Sequence, residues 1–167
     1  QQAGYLYLGG IAGVNTRSIA NAAPDQGVVL RGNQVIGGIA GINMSGAAVT
    51  YDQAATPAAS VVATYCAGGV AGVNCGTITL GSTTQLNFTV TATTYAGGIA
   101  GSNSGRIYVC MHSASGDRAL YTGGGFAGGI TGCNETTGEV ESVTVTGSIT
   151  AANGEAGGVT AHNYGNI

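Results

Sequence analysis

The stretch Gly68-Gly-Val-Ala-Gly-Val-Asn74 (GGVAGVN) has five close copies elsewhere in the chain: GGIAGVN from Gly9, GGIAGIN from Gly37, GGIAGSN from Gly97, GGITGCN from Gly128 and GGVTAHN from Gly157. Successive copies start 28, 31, 29, 31 and 29 residues apart. A unit of that length repeated along a whole chain specifies a solenoid, propeller or repeat array rather than a globule.

The segments between the copies decide which kind of repeat this is. Leu86 to Thr94 (LNFTVTATT) and Val143 to Thr150 (VTVTGSIT) are short alternating runs rich in Val, Ile and Thr, which favour strands. No stretch carries apolar residues at helical spacing without a Gly interrupting it, so helical repeats are excluded. Aligned on the phrase, the third position is always branched and apolar (Ile11, Ile39, Val70, Ile99, Ile130, Val159), and the seventh is always Asn (Asn15, Asn43, Asn74, Asn103, Asn134, Asn163).

Stacking one repeat per coil at about 4.8 Å turns the first set into an aliphatic core column. The second set becomes an internal ladder of amides, each able to donate to one neighbour and accept from the other. The fifth position is Gly13, Gly41, Gly72, Gly101 and Gly132, with Ala161 last, which points to a close approach of neighbouring chain. A Gly and an apolar residue then usually follow the Asn, as in Asn74-Cys-Gly-Thr-Ile78, and read as a turn into a further strand. The expected fold is all-β: a right-handed parallel β-helix (β-solenoid) of about six roughly triangular coils, three strands each, and roughly 29 Å long at 4.8 Å per coil. Residues 1–167 form one repeat domain, with coils beginning near 9, 37, 68, 97, 128 and 157.

The phrase GG-[IV]-[AT]-G-x-N-x-G-x-[IV] resembles the GLUG repeat, which occurs in tandem in bacterial surface and secreted proteins, including adhesin-like proteins and non-catalytic regions of some immunoglobulin A proteases. All six units match in part. The first departs most, because Asn15-Thr-Arg-Ser-Ile19 lacks the Gly after Asn, and the last has Ala161 for Gly. The resemblance implies a repetitive extracellular region without a reaction of its own.

Composition agrees with that class. The chain is 44% hydrophobic and only 7% charged, against about a quarter charged in ordinary domains, and it has four Arg but no Lys. The lack of Lys fits either resistance to trypsin-like proteases or compositional drift in an array. The net charge of −3 argues against nucleic acid and anionic membranes as partners, and no apolar run is long enough for a membrane-spanning helix. Residues 1–8 read as the last strand of a preceding coil, and neither end carries a cap. The expected partners are therefore flanking repeats of the same protein or other copies joined end to end into a filament. Extracellular or bacterial cell-surface localisation follows from the same reading.

Chemistry-bearing residues are few. Cys66, Cys75, Cys110 and Cys133 are an even set that permits two disulfides, but the columns do not pair them: Cys75 and Cys133 lie two coils apart, about 9.6 Å, beyond disulfide reach. Cys66 shares a column with Tyr7, Val35, Tyr95 and Phe126 and reads as a buried small hydrophobe. His112, Ser113 and Asp117 are close in sequence only, which carries no weight for a triad, and Glu135, Glu139 and Glu141 read as solvated positions. No metal, cofactor or catalytic residue is expected. Asp25, Asp52 and Asp117 fall in unrelated phases of the repeat, unlike calcium-binding solenoids. Of three sequons, at Asn43, Asn87 and Asn134, two use ladder positions.

The function expected is that of a non-catalytic structural or adhesive module, a stiff stalk or fibre subunit. The alternative is a host glycan- or receptor-binding face, with Tyr51, Tyr108 and Tyr121 as possible ligand-facing residues and Tyr65 and Tyr164 as further candidate platforms. The second alternative is an ice-binding solenoid, for which the Thr-rich runs are the prompt. The pattern-free segments Ala20 to Gly27, Tyr51 to Ala59 and His112 to Arg118 are expected to bulge from one or two corners of the coil.

Overall fold

The computed structural model describes residues 6–53, 59–82, 84, 86–109, 125–143, 145 and 148–167, together with the backbone of 119–122. These residues contain no helix. They form a β-solenoid of four parallel sheets, two with six strands and two with five, so the chain completes five turns.

In the order the chain visits them, sheet A comprises Tyr7–Gly9, Val35–Gly37, Cys66–Gly68, Tyr95–Gly97, Phe126–Gly128 and Ala156–Gly157. Sheet B comprises Ala12–Asn15, Ala40–Asn43, Ala71–Asn74, Ala100–Asn103, Thr131–Asn134 and Thr160–Asn163. Sheet C comprises Ser18–Ala20, Ala48–Tyr51, Thr77–Leu80, Arg106–Val109 and Glu139–Glu141, and sheet D comprises Val28–Gly32, Ala59–Ala63, Thr89–Ala92, Ala119–Thr122 and Ser148–Ala151. Four short strands per coil replace the three longer ones expected. The repeated phrase is the reason: its two glycines do not sit inside one strand but form the corner between sheets A and B. A Cβ on the first Gly of any copy would overlap the carbonyl three residues on, as Gly37 would with Ala40. Bonding continues through that corner, with Ile39 and Ala40 both donating to the Val70 carbonyl at 2.9 Å.

The registers keep the copies aligned, Asn15 opposite Asn43 and Gly37 opposite Gly68. The core therefore consists of columns. On sheet C it is Ile19, Val49, Ile78, Ile107 and Val140, all buried; on sheet D it includes Leu30, Val61 and Val90. Of the predicted aliphatic column, Ile39, Val70, Ile99 and Ile130 are buried and Val159 partly so, but Ile11 is 44% exposed. Ile11 precedes the edge strand of sheet B, which pairs on one side only.

The LNFTVTATT run is a strand only over Thr89–Ala92. Leu86 and Phe88 instead reach the core from the connection before it, and the Phe88 ring lies where a Cβ on Gly38 or Gly69 would fall. The VTVTGSIT run likewise yields Ser148–Ala151, its earlier part lying largely outside the described residues. The connection Ala20 to Gly27 joins sheet C to sheet D; the other pattern-free segments come at the same point in the strand order, but residues 54–58 of the second and His112 to Arg118 of the third, with His112, Ser113 and Asp117, lie outside the described residues.

Candidate functional site

The Asn column is a continuous amide ladder just inside sheet B. Each Nδ2 donates to the next Oδ1: Asn15 to Asn43, Asn43 to Asn74 and Asn74 to Asn103 at 2.8 Å, then Asn103 to Asn134 and Asn134 to Asn163 at 2.9 Å. The second Nδ2 proton bonds turn carbonyls, as Asn74 does with Gly76 and Arg106. The four central residues are fully buried, Asn15 nearly so, and Asn163 is exposed on the last rung. The sequons at Asn43 and Asn134 are thereby out of reach of a modifying enzyme, whereas Asn87 is exposed.

Outside the corner between sheets A and B lies a second column set. On sheet A, Ile36, Ala67 and Ala96 face the core, so the residues before them, Val35, Cys66 and Tyr95, face outward, with Phe126 next in register. They lie over the Gly column of sheet B. A Cβ on Gly72 would stand 2.5 Å from Val35 Cγ1, and one on Gly101 would stand 2.5 Å from Cys66 Sγ. Glycine at Gly72 and Gly101 thus leaves room for the outward side chains of sheet A, which fill a concave corner; the last copy has Ala161 there, in the edge strand of sheet B, with no strand stacked beyond it.

Within this corner five rings form a ribbon along the solenoid axis. Tyr65 and Tyr95 meet edge to face at 5.7 Å, Tyr95 stacks on Phe126 at 5.3 Å, Phe126 meets His162 edge to face at 5.2 Å, and His162 lies against Tyr164 at 4.5 Å. The ends are open, Tyr65 being 50% and Tyr164 60% exposed. Polar groups line the strip. Glu135 accepts from Ser102 Oγ at 3.1 Å and from the Cys133 thiol, and Glu155 Oε2 is 3.0 Å from His162 Nδ1. Burial, reinforced by Tyr65, Cys133, Glu135 and Cys66, holds the Tyr95 phenol above its ordinary value, so it remains a neutral O–H. The thiols are suppressed as nucleophiles: burial and then the Glu135 bond push Cys133 up to about 12, and burial pushes Cys66 up further. Cys66, Cys75 and Cys133 are free thiols; Cys110 lies outside the described residues.

The tyrosines proposed from sequence as ligand-facing separate. Tyr51 is 4% exposed and points inward, because it continues the core face of sheet C two residues after Val49 and pairs in register with Leu80. Tyr108 lies on the outer face of sheet C beside Arg106, which bonds Glu141 at 2.7 Å, approaches Glu139 at 3.9 Å and stands 6.0 Å from the Tyr108 ring. With Thr77 and Thr79 they border a shallow depression. Tyr121 is placed by backbone register between Thr91 and Thr150, its side chain outside the description.

Sequence reading found Tyr65 and Tyr164 but missed the ribbon. Its rings come from two different columns and from positions just outside the phrase. Among the described residues the Thr form no lattice: the register column of sheet D that holds Thr91 and Thr150 begins with Arg31 and Val62. No group of three metal-ligating side chains occurs among the described residues. No protein family, curated protein or solved structure matches the chain.

Proposed function

We propose that this chain is a non-catalytic structural module of an extracellular, bacterial surface protein, related to GLUG-repeat regions, acting as a stiff rod within a stalk or fibre. The observation that supports it is the unbroken lateral bonding. Every turn is tied to the next by parallel backbone ladders in four sheets and, inside them, by the Asn run from 15 to 163. Such a stack is quasi-one-dimensional, resists bending because all coils share one core, and leaves only its end rungs able to pair with further repeats or copies. The partners it would take are repeats of its own kind.

Negative-stain electron microscopy across a concentration series tests this. Straight rods, isolated or joined end to end at one coil width, are the expected result. Flexible threads, closed side-by-side oligomers, or turnover of a polysaccharide by the purified chain would overturn it. A second reading, a face that grips a glycan, has its own support in the exposed ring ribbon.

A further inference from the structure

We infer that the concave corner between sheets A and B is a binding groove for an uncharged linear polysaccharide lying along the solenoid axis, gripped by Tyr65, Tyr95, Phe126 and Tyr164. This deepens the glycan reading and is independent of the mechanical role. The rings supply the apolar half of such a site. Tyr65, Tyr95, Phe126 and His162 come from successive coils and follow one another at 5.7, 5.3 and 5.2 Å, with Tyr164 beside His162 in the last coil, so the strip presents a repeated aromatic surface to a ligand that is itself a repeat. The C–H faces of sugar rings pack on aromatic faces, and the exposed terminal rings of Tyr65 and Tyr164 give that packing its entry points.

The polar half selects among ligands. The ionisable carboxylates along the strip are Glu135 and Glu155, and neither outward column, Val35–Cys66–Tyr95–Phe126 on sheet A or Val14–Ile42–Val73–Ser102–Cys133–His162 on sheet B, contains an Arg. Of the cations that follow the phrase, Arg17 belongs to the first coil, two residues after Asn15, whereas the rings come from the third coil onward, and Arg106 is on sheet C and engaged by Glu141 and Glu139. Acidic glycans, nucleic acids and phosphate-bearing surfaces therefore meet like charge here. Carboxylates accept hydrogen bonds from sugar hydroxyls, and the neutral Tyr95 phenol both donates and accepts. A proline-rich peptide, the other polymer that docks on aromatic grooves, offers mainly carbonyl acceptors; the chain has no Trp N–H to meet them, and the strip's two carboxylates, which accept from sugar hydroxyls, cannot donate to them.

Affinity electrophoresis through native gels containing a soluble β-glucan, xylan, galactomannan or starch is the experiment, with alginate and polyproline as comparison matrices. Retardation by at least one neutral polysaccharide is expected, with Tyr65→Ala and Tyr164→Ala each weakening it about tenfold while their melting temperatures stay at the parent value. Tyr108→Ala, on sheet C, is expected to bind like the parent. The proposal is overturned if no neutral matrix retards the chain, if alginate or polyproline retards it instead, or if Tyr108→Ala abolishes retardation and the ribbon variants do not. Because Tyr65 and Tyr164 are at least half exposed, loss of binding in them is not loss of fold. The rod reading stands or falls separately, by microscopy.

Discussion

Replacing Asn74 by Leu removes the centre of the amide ladder and gives the sharpest test of what holds the coils in register. Asn74 is fully buried; its Oδ1 accepts from Asn43 Nδ2 at 2.8 Å and its Nδ2 donates to Asn103 Oδ1 at 2.8 Å. Leu fills nearly the same volume, so the loss reports unpaired amides more than a cavity. Asn43 keeps its bond to the Thr77 carbonyl at 3.2 Å but loses the partner of its other proton, and Asn103 Oδ1 loses its donor. Two orphaned buried groups at about 1–3 kcal/mol each give about 2–6 kcal/mol. In a chain of this size that is a fall in melting temperature of about 4–24 °C. Asn15→Leu, at the edge, orphans one buried acceptor, Asn43 Oδ1, and is expected to cost about 1–3 kcal/mol. Urea unfolding followed by far-ultraviolet circular dichroism, with unchanged m-values, measures both. If Asn74→Leu falls within about 0.5 kcal/mol of the parent, a change typical of inert surface sites, or if it costs no more than Asn15→Leu, the ladder is not a stabilising element and the reasoning fails.

The concave corner makes Gly101→Val costly. Its Cβ would stand 2.5 Å from Cys66 Sγ and 2.8 Å from the Ala67 carbonyl, and overpacking of that kind costs about 1–3 kcal/mol or more by the same urea titration. Gly158→Ala meets nothing within 4 Å and should be neutral or stabilising by up to about 1 kcal/mol; a large loss there would contradict the packing described. In a Cys110→Ser background, iodoacetamide at pH 8 should label Cys75, which is partly exposed, and spare Cys66 and Cys133, read by mass spectrometry. Both spared thiols have folded values raised above their ordinary one, so they remain protonated until well above that pH while the fold persists; rapid native labelling of Cys133 would refute its burial.

The period, the parallel stacking, the Asn ladder and the outward or inward sense of most columns were legible because a solenoid repeats one local problem. A residue kept at one phase in all six copies must answer a constraint present in all six coils. What could not be read follows from departures within the repeat. Tyr51 has no phase-mate of its own kind, so only the alternation from Val49, through Thr50, could place it inside, and as a tyrosine it reads equally as a surface ring. Thr131 stands where Ala12, Ala40, Ala71 and Ala100 stand, a polar residue at a core position. The reason is visible only in three dimensions: its hydroxyl donates to Thr160, which donates to the His162 carbonyl, so the two Thr satisfy each other. The fourth strand was hidden because a Gly-Gly pair reads as part of a strand or as a corner with equal ease, and the carbonyl overlap that forces the corner is a backbone distance.

The same corner links the rod and the groove. At the other end of its sheet B strands, where they turn into sheet C, runs the Asn ladder, which requires sheet B to stay in strict register over every turn. The outer side of the corner can hold a linear array of rings only if that register holds, because one slipped coil would move Tyr95 off Phe126 and Phe126 off His162. The Gly column between them is what lets the sheets fold toward each other closely enough to form a groove. Disrupting the ladder should therefore weaken polysaccharide retardation without touching a ring, whereas removing Tyr65 or Tyr164 should leave the ladder's stability intact. The coupling runs one way, and measuring retardation of Asn103→Leu at a temperature well below its unfolding tests it. Parental retardation by that variant would mean the rings keep their spacing from backbone pairing alone, and that the ladder contributes stability only.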